Sequence, residues 1–262
     1  MKPAPFELAR PLSLPEAAAT LALRGGDARL IAGGQSLGPM LNLRLVRPAI
    51  LVAIAHLTEL GTVAESADAV TIGAGVTHAA IADGRTPDIG GILARIAQGI
   101  AYRAVRNLGT IGGSLCHADP AADWLTTLTA LDASVLTWSE AGGRSIPLAQ
   151  FATGAFRTAL KPAEIVQAVR IPRPSPQAHW GYYKACRKPG EFAHAMAAVL
   201  IDPGRNLRRA VIGAIGGPPV VLEGARVAPA AAEDALRDAG LDAVARRMQA
   251  VALKRALDEA AR

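Results

Sequence analysis

Residues 103–124 combine glycines, hydroxyl groups and carboxylates at spacings that suit a nucleotide ligand. In this segment, the glycines at 109, 112 and 113 are adjacent to the hydroxyl residues Thr110 and Ser114. A glycine has no Cβ, so the backbone N–H groups around it can approach a ligand closely. Several such N–H groups in succession form a concavity that suits phosphate oxygens. We therefore predict that residues 109–114, the second glycine segment, face a phosphate group.

Two carboxylates, Asp119 and Asp123, follow around a turn that contains Pro120. A carboxylate would repel a phosphate, but it accepts hydrogen bonds from hydroxyl groups such as those of a ribose or a ribitol. Asp119 could also cap a helix, because proline is common in the first turn after a capping residue. We predict that Asp123 in particular faces the sugar part of the ligand.

Another glycine pair lies upstream, in residues 32–37, the first glycine segment. The apolar run 28–32 predicts a strand that ends at Gly33 and Gly34, and Ser36 opens a segment with helical spacing. A strand, a glycine turn and a helix start in this order are typical of an anion site. Neither the dinucleotide motif G-x-G-x-x-G nor the G-K-[ST] end of a P-loop is present. The two glycine segments together could hold one pyrophosphate from both sides.

Three groups of helices and strands are predicted to position these segments. Residues 1–56 should contain a helix capped by Ser13, with Glu16 three residues later, strands at 28–32 and 50–54, and a helix at 37–45. Residues 57–175 should contain strands at 70–72, 134–138 and 165–171 and helices at 78–83, 89–101 and 125–131. The prolines at 172, 174 and 176 indicate a linker. Residues 176–262 should contain strands at 195–201 and 209–215 and helices at 231–239 and 241–262.

Composition and charge argue against several classes of protein. The chain of 262 residues carries a net charge of +6, but its basic residues are dispersed and only 4% of its residues are aromatic. A stacking platform for nucleic acid is therefore not expected. No apolar run approaches the roughly eighteen residues that a membrane span requires. The first residues show no apolar signal region, so we expect a cytoplasmic protein.

The cysteines and histidines predict no metal site in this chain. Cys116 and Cys186 are the only cysteines, whereas an iron–sulfur cluster usually takes four thiolates. The five histidines lack metal-ligand spacing. Any iron–sulfur cluster that supplies electrons to this protein should therefore lie on another chain.

Three motifs resemble the FAD-binding medium subunit of molybdenum hydroxylases, a family that includes carbon monoxide dehydrogenase and xanthine dehydrogenase-like enzymes. They are Ala-Gly-Gly-Gln-Ser at 32–36, Asn-Leu-Arg at 42–44, and Arg-Asn-Leu-Gly-Thr-Ile-Gly-Gly-Ser-Leu-Cys-His-Ala-Asp-Pro-Ala-Ala-Asp at 106–123. The resemblance covers nearly the whole chain and implies an α+β fold. A two-lobed FAD-binding domain of the p-cresol methylhydroxylase type (lobes 1–56 and 57–175) would precede a small C-terminal domain of sheet and helices (176–262).

The family motifs also imply which residues touch FAD. These are Ala32, Gly33, Gly34, Gln35, Ser36, Leu37, Thr110, Gly112, Gly113, Ser114, Cys116, His117, Asp119, Asp123, Leu160 and Lys184. Lys184 begins a segment that resembles the family pattern Lys-x-x-Arg-x-x-Gly-Asp-Phe/Tyr-Ala, with Glu191 in place of the aspartate. Its implied role is to stabilise negative charge on the reduced flavin ring, and an exposed surface lysine is the alternative. Leu160 would pack against the ring, although a core leucine would look the same.

The implied function is that of an oxidoreductase subunit with non-covalently bound FAD. Electrons would come from the 2Fe-2S clusters of a small partner chain and leave to an acceptor such as NAD or a quinone. A large partner chain would carry the molybdenum cofactor and hydroxylate a substrate, which leaves carbon monoxide, purines and N-heteroaromatics open. Two alternatives are a stand-alone FAD-dependent oxidoreductase of the same superfamily and a non-catalytic nucleotide-binding module.

Overall fold

The first region forms a small parallel sheet with two helices. The computed structural model describes residues 2–262 and leaves out the side chain of Asp238. The elements of this region are β1 (Glu7–Ala9), α1 (Leu14–Arg24), β2 (Ala28–Ile31), α2 (Leu37–Asn42) and β3 (Ile50–Ala53), with the strand order β1-β3-β2. The predicted cap of α1 is confirmed, because the Ser13 hydroxyl accepts a hydrogen bond from the Glu16 N–H at 3.4 Å.

The second region is built on a five-stranded antiparallel sheet in the order β4-β5-β10-β6-β7. Its strands are β4 (Val63–Glu65), β5 (Ala69–Gly73), β6 (Ser134–Trp138), β7 (Ser145–Pro147) and β10 (Ile165–Pro172), and a separate hairpin pairs β8 (Ala152–Gly154) with β9 (Arg157–Thr158). Its helices are α3 (His78–Ala82), α4 (Ile92–Gln98), α5 (Arg103–Arg106), α6 (Ile111–His117), α7 (Asp123–Ala130) and α8 (Leu148–Phe151).

The third region is an antiparallel sheet in which neighbouring strands follow each other along the chain. Its elements are β11 (His179–Ala185), β12 (Ala195–Asp202), β13 (Leu207–Gly213), β14 (Val220–Glu223), α9 (Pro229–Ala235) and α10 (Ala243–Ala260). Helix α10 packs tightly on β11, since a Cβ on Gly181 would lie 1.9 Å from the carbonyl oxygen of Ala256. Short 3-10 helices cover Gly25–Asp27, Thr58–Leu60, Pro203–Arg205, Gly224–Arg226 and Arg237–Ala239.

The first two regions share one apolar core. It runs from Leu14 and Val52 through Leu93 and Leu115 to Trp124, with these side chains almost completely buried. A second core lies between the third sheet and its helices and includes Val199, Ile212 and Leu253. No helix among the described residues is long and apolar enough to cross a membrane.

The structure corrects several predicted boundaries. The helix predicted at 89–101 covers only Ile92–Gln98, because Gly90 and Gly91 adopt positive φ values of 71° and 79°, outside the helical range. The helices predicted at 231–239 and 241–262 are likewise shorter, at Pro229–Ala235 and Ala243–Ala260. The proline-rich stretch predicted as a linker is held in place, since the Ser175 N–H and hydroxyl both donate to the buried Asp202 carboxylate, at 2.9 and 2.5 Å.

Candidate cofactor-binding site

A cleft of about 950 Å³ lies where the first glycine segment, the helices of the second region and strand β11 meet. Sites for small molecules typically measure about 300–1,000 Å³, so this cleft is large enough for an extended ligand. Every residue that the family motifs implicate in FAD binding lines the cleft, from Ala32 in the first glycine segment to Lys184 on β11. The fold therefore brings the whole predicted set together.

The first glycine segment presents a row of free backbone N–H groups. Within residues 2–262, the N–H groups of residues 33–37 have no hydrogen-bond acceptor. The turn is held by other bonds: the Gln35 side-chain amide donates to the Gly33 carbonyl at 2.9 Å, and the Gly38 N–H donates to the Gly34 carbonyl at 2.8 Å. Gly34 has a φ of +67°, a conformation that favours glycine. These N–H groups form a ready site for an anion.

The second glycine segment differs from its prediction, because it contains the first turn of helix α6 and its N–H groups, apart from that of Thr110, have acceptors within the described part of the chain. Thr110 caps the helix: its hydroxyl accepts from the Gly113 N–H at 3.0 Å, and its carbonyl accepts from the Ser114 N–H at 3.0 Å. The Gly112 N–H donates to the Ala74 carbonyl at 2.9 Å. The predicted concavity of free N–H groups is therefore not formed by this turn.

The two glycines of this helix have different roles: Gly112 allows close packing, and Gly113 leaves space in the cleft. A Cβ on Gly112 would lie 2.4 Å from the Cβ of Ala74, so only glycine allows α6 to lie this close to the end of β5. Gly113 faces the cleft, and a Cβ there would meet only the Thr110 hydroxyl, at 2.9 Å. The second segment thus leaves room for a ligand instead of supplying N–H donors.

The two glycine segments touch each other at the cleft wall. A Cβ on Gly33 would lie 1.9 Å from the Leu108 carbonyl oxygen and 2.9 Å from the Cα of Gly109. Gly109 in turn accepts a hydrogen bond at its carbonyl from the His78 N–H at 2.9 Å. This close approach fixes the distance between the segments, so any change at Gly33 would move both.

Asp123 and Lys184 form a buried ion pair at the other end of the cleft. The Lys184 ammonium donates to both carboxylate oxygens of Asp123, at 2.9 and 3.0 Å, and to the Gly99 carbonyl at 3.3 Å. The Lys184 side chain is only 10% exposed, and the Asp123 side chain is only 5% exposed. Burial raises the pKa of the Asp123 carboxyl, and the charge of Lys184 opposes that rise.

Tyr182 is a member of this cluster that sequence reasoning missed. Its hydroxyl donates to the Asp123 carboxylate at 2.7 Å, and burial, followed by the nearby Asp123 charge, raises its pKa well above the usual value. The alternation of a strand was a usable signal, since Tyr182 and Lys184 stand two residues apart on β11 and share one face. Asp123 is therefore already engaged by two side chains of the third region.

The remaining predicted residues lie along the middle of the cleft. Asp119 accepts from the Ala121 N–H at 2.9 Å, which stabilises the turn around Pro120. The His117 ring packs on Phe156, with 5.1 Å between the ring centroids. Cys116 lines the cleft and has an exposed surface, yet desolvation by the surrounding protein raises the pKa of its thiol to about 12. The thiol therefore stays protonated at neutral pH and is a poor nucleophile.

Neither cysteine is in a disulfide, and no group of three or more histidine, cysteine or acidic side chains in the described part of the chain could hold a metal ion. The donors around the cleft are instead N–H groups, hydroxyls, the ammonium groups of Lys161 and Lys184 and the guanidinium of Arg29. Such a set suits a phosphorylated organic ligand better than a cation.

The chain is similar to a known family and to characterised proteins over most of its length. Residues 4–174 match the family described as the FAD binding domain in molybdopterin dehydrogenase. The chain is 36% identical to the caffeine dehydrogenase subunit beta of Pseudomonas sp. (strain CBB1) over 84% of this chain and 76% of that protein. It is 36% identical to the carbon monoxide dehydrogenase medium chain of Hydrogenophaga pseudoflava, over 79% and 72%.

Two solved structures are similar over nearly their whole length. Carbon monoxide dehydrogenase from Hydrogenophaga pseudoflava has a chain that is 30% identical, with a TM-score of 0.87 and coverage of 99% of this chain and 98% of that one. Quinoline 2-oxidoreductase from Pseudomonas putida 86 has one that is 32% identical, with a TM-score of 0.85 and coverage of 100% and 99%.

Proposed function

The chain belongs to the family of FAD-binding domains of molybdopterin dehydrogenases, and from this premise we propose that it transfers electrons between partner chains and an external acceptor. The resemblance deduced from its motifs is confirmed by the family match, which makes it an FAD-binding medium subunit of a molybdenum hydroxylase. In our proposal, electrons arrive from 2Fe-2S clusters on a small partner chain and leave to NAD, a quinone or another acceptor. A large partner chain holds the molybdenum cofactor and hydroxylates the substrate.

The observation that carries this proposal is the run of free N–H groups at residues 33–37 beside a cleft lined by all the predicted FAD contacts. Hydrogen bonds from N–H groups to an ionised phosphate are charge-assisted and therefore strong. These residues would hold the pyrophosphate, and the Ser114 hydroxyl would reach it from the second segment. The space beside Gly113 would admit the phosphate oxygens without a clash.

The ion pair would serve the flavin end of the cofactor. When bound, FAD supplies the redox chemistry, and the protein supplies position and electrostatics. The Lys184 ammonium, which is paired with Asp123, would face the ring in a nearly dry site, where an electrostatic interaction is stronger than in water. Asp123 and Tyr182 hold Lys184 in one orientation. Leu160 and Phe192 line the same cleft and would give the ring apolar walls.

Two observations support the assignment of the metal centres to partner chains. The chain has only two cysteines, fewer than the four ligands that a 2Fe-2S cluster usually takes. The relatives compared above are themselves named as a beta subunit and a medium chain.

The test is purification of the tagged chain from its native cells, with mass spectrometry and metal analysis of whatever accompanies it. We expect a larger chain with molybdenum and a smaller chain with iron, and flavin that is reduced by substrate only in the complex. Acid precipitation should leave the protein pellet colourless and the FAD in solution. Anaerobic mixing of the reduced complex with NAD and with a quinone, in parallel, identifies the acceptor.

Three outcomes would contradict the proposal. Flavin in the isolated chain that an organic substrate reduces directly would indicate a stand-alone oxidoreductase. A chain that binds no flavin would indicate a nucleotide-binding module. A yellow pellet after acid precipitation would show covalent attachment.

A further inference from the structure

His78 lies at the point where the two glycine segments meet. Its backbone N–H donates to the Gly109 carbonyl at 2.9 Å, and a Cβ on Gly109 would lie 2.9 Å from the imidazole Cδ2. Gly109 and its neighbour Leu108 are the residues against which Gly33 packs. The His78 side chain therefore packs against Gly109, which Gly33 of the first glycine segment also approaches. It lines the same cleft, although the residue is only 5% exposed.

The hydrogen bond at Nδ1 of the His78 imidazole determines which ring nitrogen carries the proton. The indole Nε1–H of Trp124 donates to His78 Nδ1 at 3.2 Å, and an indole N–H can only donate. Nδ1 is therefore the acceptor, and the proton of the neutral ring is on Nε2. In the described part of the chain, Nε2 has no hydrogen-bond partner, and it does not belong to the unpartnered side-chain atoms that are sealed from solvent. Its N–H is thus open to the cleft.

The surroundings of Nε2 call for an anionic acceptor. The N–H groups of residues 33–37 are donors, and the Arg106 guanidinium is close enough to His78 to act on its charge. The nearest buried carboxylate, Asp123, is occupied by Lys184 and Tyr182. Burial, followed by Arg106, lowers the pKa of His78 to about 4, so this donor is uncharged at neutral pH. Unpartnered donors that line the same cleft suit a phosphate oxygen better than a sugar hydroxyl.

We propose that His78 Nε2–H donates a hydrogen bond to a phosphate oxygen of bound FAD, and that Trp124 is the positioning residue that fixes the required tautomer. This inference rests on the binding of FAD in the cleft and adds a contact that the family motifs above do not include. His78 joins the first glycine segment as a donor and takes the place that the occupied N–H groups of the second segment leave open.

The direct test is NMR of the full chain labelled with ¹⁵N-histidine, without and with FAD. We expect the Nε2–H tautomer of His78 in the free chain. Addition of FAD should move the Nε2–H proton downfield and give it a through-bond coupling to ³¹P. Trp124→Phe should allow the ring to exchange between tautomers in the free chain. FAD binding that leaves the His78 Nε2–H resonance unchanged would overturn the inference.

Matched variants test the same contact by affinity. His78→Leu removes the N–H and should weaken FAD binding roughly ten- to hundredfold, as expected for one hydrogen bond to a charged group. His78→Gln retains an N–H donor and should recover most of the loss. The control, His179→Leu, changes an exposed histidine outside the cleft and should bind FAD like wild type.

The two ideas fail in different ways. If the wild-type chain does not bind FAD, the proposed function is wrong. If the wild type binds FAD and a folded His78→Leu chain binds it equally well, only the role of His78 is wrong. Should His78→Leu not fold, the NMR result on the wild-type chain decides.

Discussion

The two glycine segments look alike in sequence but use their glycines differently. In each, one glycine of the pair allows a close backbone approach: Gly33 packs on Leu108, and Gly112 packs on Ala74. The difference lies in the N–H groups. Those of residues 33–37 have no acceptor within the described residues, whereas those of Gly112, Gly113 and Ser114 are all occupied by the protein itself. The first segment therefore has donors available to an anion, and the second is held firmly beside it by its own hydrogen bonds.

A glycine pair therefore does not by itself indicate a phosphate contact. Glycine can provide an unusual φ, a close approach or an empty space. Which of these applies depends on the partners that the rest of the fold brings to it. Substitutions that separate these uses should therefore affect stability and FAD affinity to different extents in the two segments.

The largest effect is expected for Gly33→Ala. The new Cβ would have to displace the Leu108 carbonyl oxygen, which lies 1.9 Å from its position, and this would push the two segments apart. We expect the free energy of unfolding to fall by roughly 3 kcal/mol, at the upper end for overpacking. FAD should bind at least about a hundredfold more weakly, as expected for the loss of two charge-assisted bonds. Urea denaturation of the apo chain and titration with FAD measure the two effects.

Gly38→Ala is the matched control in the same segment, because a Cβ there meets no atom within 4 Å. It should leave FAD affinity unchanged and stabilise α2 by up to about 1 kcal/mol. Equal FAD affinity of Gly33→Ala and Gly38→Ala would contradict the close approach of the segments.

The next effect is a loss of folding stability at acidic pH, which originates at His78 beside Gly109 of the second segment. The pKa of His78 is about 4 in the folded chain and 6.5 in its ordinary state, so the unfolded chain takes up a proton more readily. This contribution to stability is fully present above pH 6.5 and is lost as the pH falls towards 4. The loss amounts to about 3 kcal/mol at pH 4. Urea denaturation of wild type and His78→Gln between pH 7 and 4 should show the difference, and parallel pH profiles would contradict it.

Gly112→Ala should separate stability from binding. A Cβ at this position would lie 2.4 Å from the Ala74 Cβ and 2.7 Å from the Ala74 carbonyl oxygen, so α6 must shift away from β5. We expect a loss of about 2 kcal/mol of unfolding free energy. The folded fraction should still bind FAD within a few-fold of wild type, because no free N–H group is lost. A stable variant without FAD affinity would show that this glycine serves the ligand directly.

The smallest loss of stability is expected for Gly113→Val. Its Cβ would approach only the Thr110 hydroxyl, so the cost is that of a disturbed helix cap, about 1 kcal/mol. The valine side chain would fill the open space in the cleft and should weaken FAD binding about tenfold or more, which corresponds to at least about 1.4 kcal/mol. Thr110→Ala removes the cap without filling the space, and its FAD affinity should change much less. Unaltered FAD occupancy of Gly113→Val would exclude this part of the cleft as a phosphate site.

Sequence alone was sufficient for the family and for the set of residues around the cleft. The motifs are long, local and rich in glycine, and glycine restricts the possible local structures. The apolar runs also predicted buried strands such as Ser134–Trp138, where the boundaries agree, but not shorter strands such as Val63–Glu65 and Val220–Glu223. Such features depend on neighbours in the chain, which a single sequence displays directly.

The pairing inside the site could not be predicted in this way. Asp123 appeared to be a sugar ligand, yet it binds Lys184 and Tyr182, which lie far along the chain on β11. The N–H groups of the second segment are occupied by partners such as Ala74. Each of these contacts depends on how separate elements pack. A single sequence does not show which distant residue a lysine or a carbonyl oxygen will contact.

The link between α10 and the strand that carries Lys184 has a consequence for biosynthesis. The Glu259 carboxylate in the last turn of α10 accepts from the Tyr182 N–H at 2.9 Å and also binds Arg95 beside the second region. At about 5–20 residues per second, Glu259 is translated roughly 7–27 seconds after Asp123. During that time the nascent chain contains its glycine segments but lacks the contact between α10 and the strand that carries Lys184. We therefore expect FAD to bind only after α10 has been synthesised, because the strand that carries Lys184 is held in place only then.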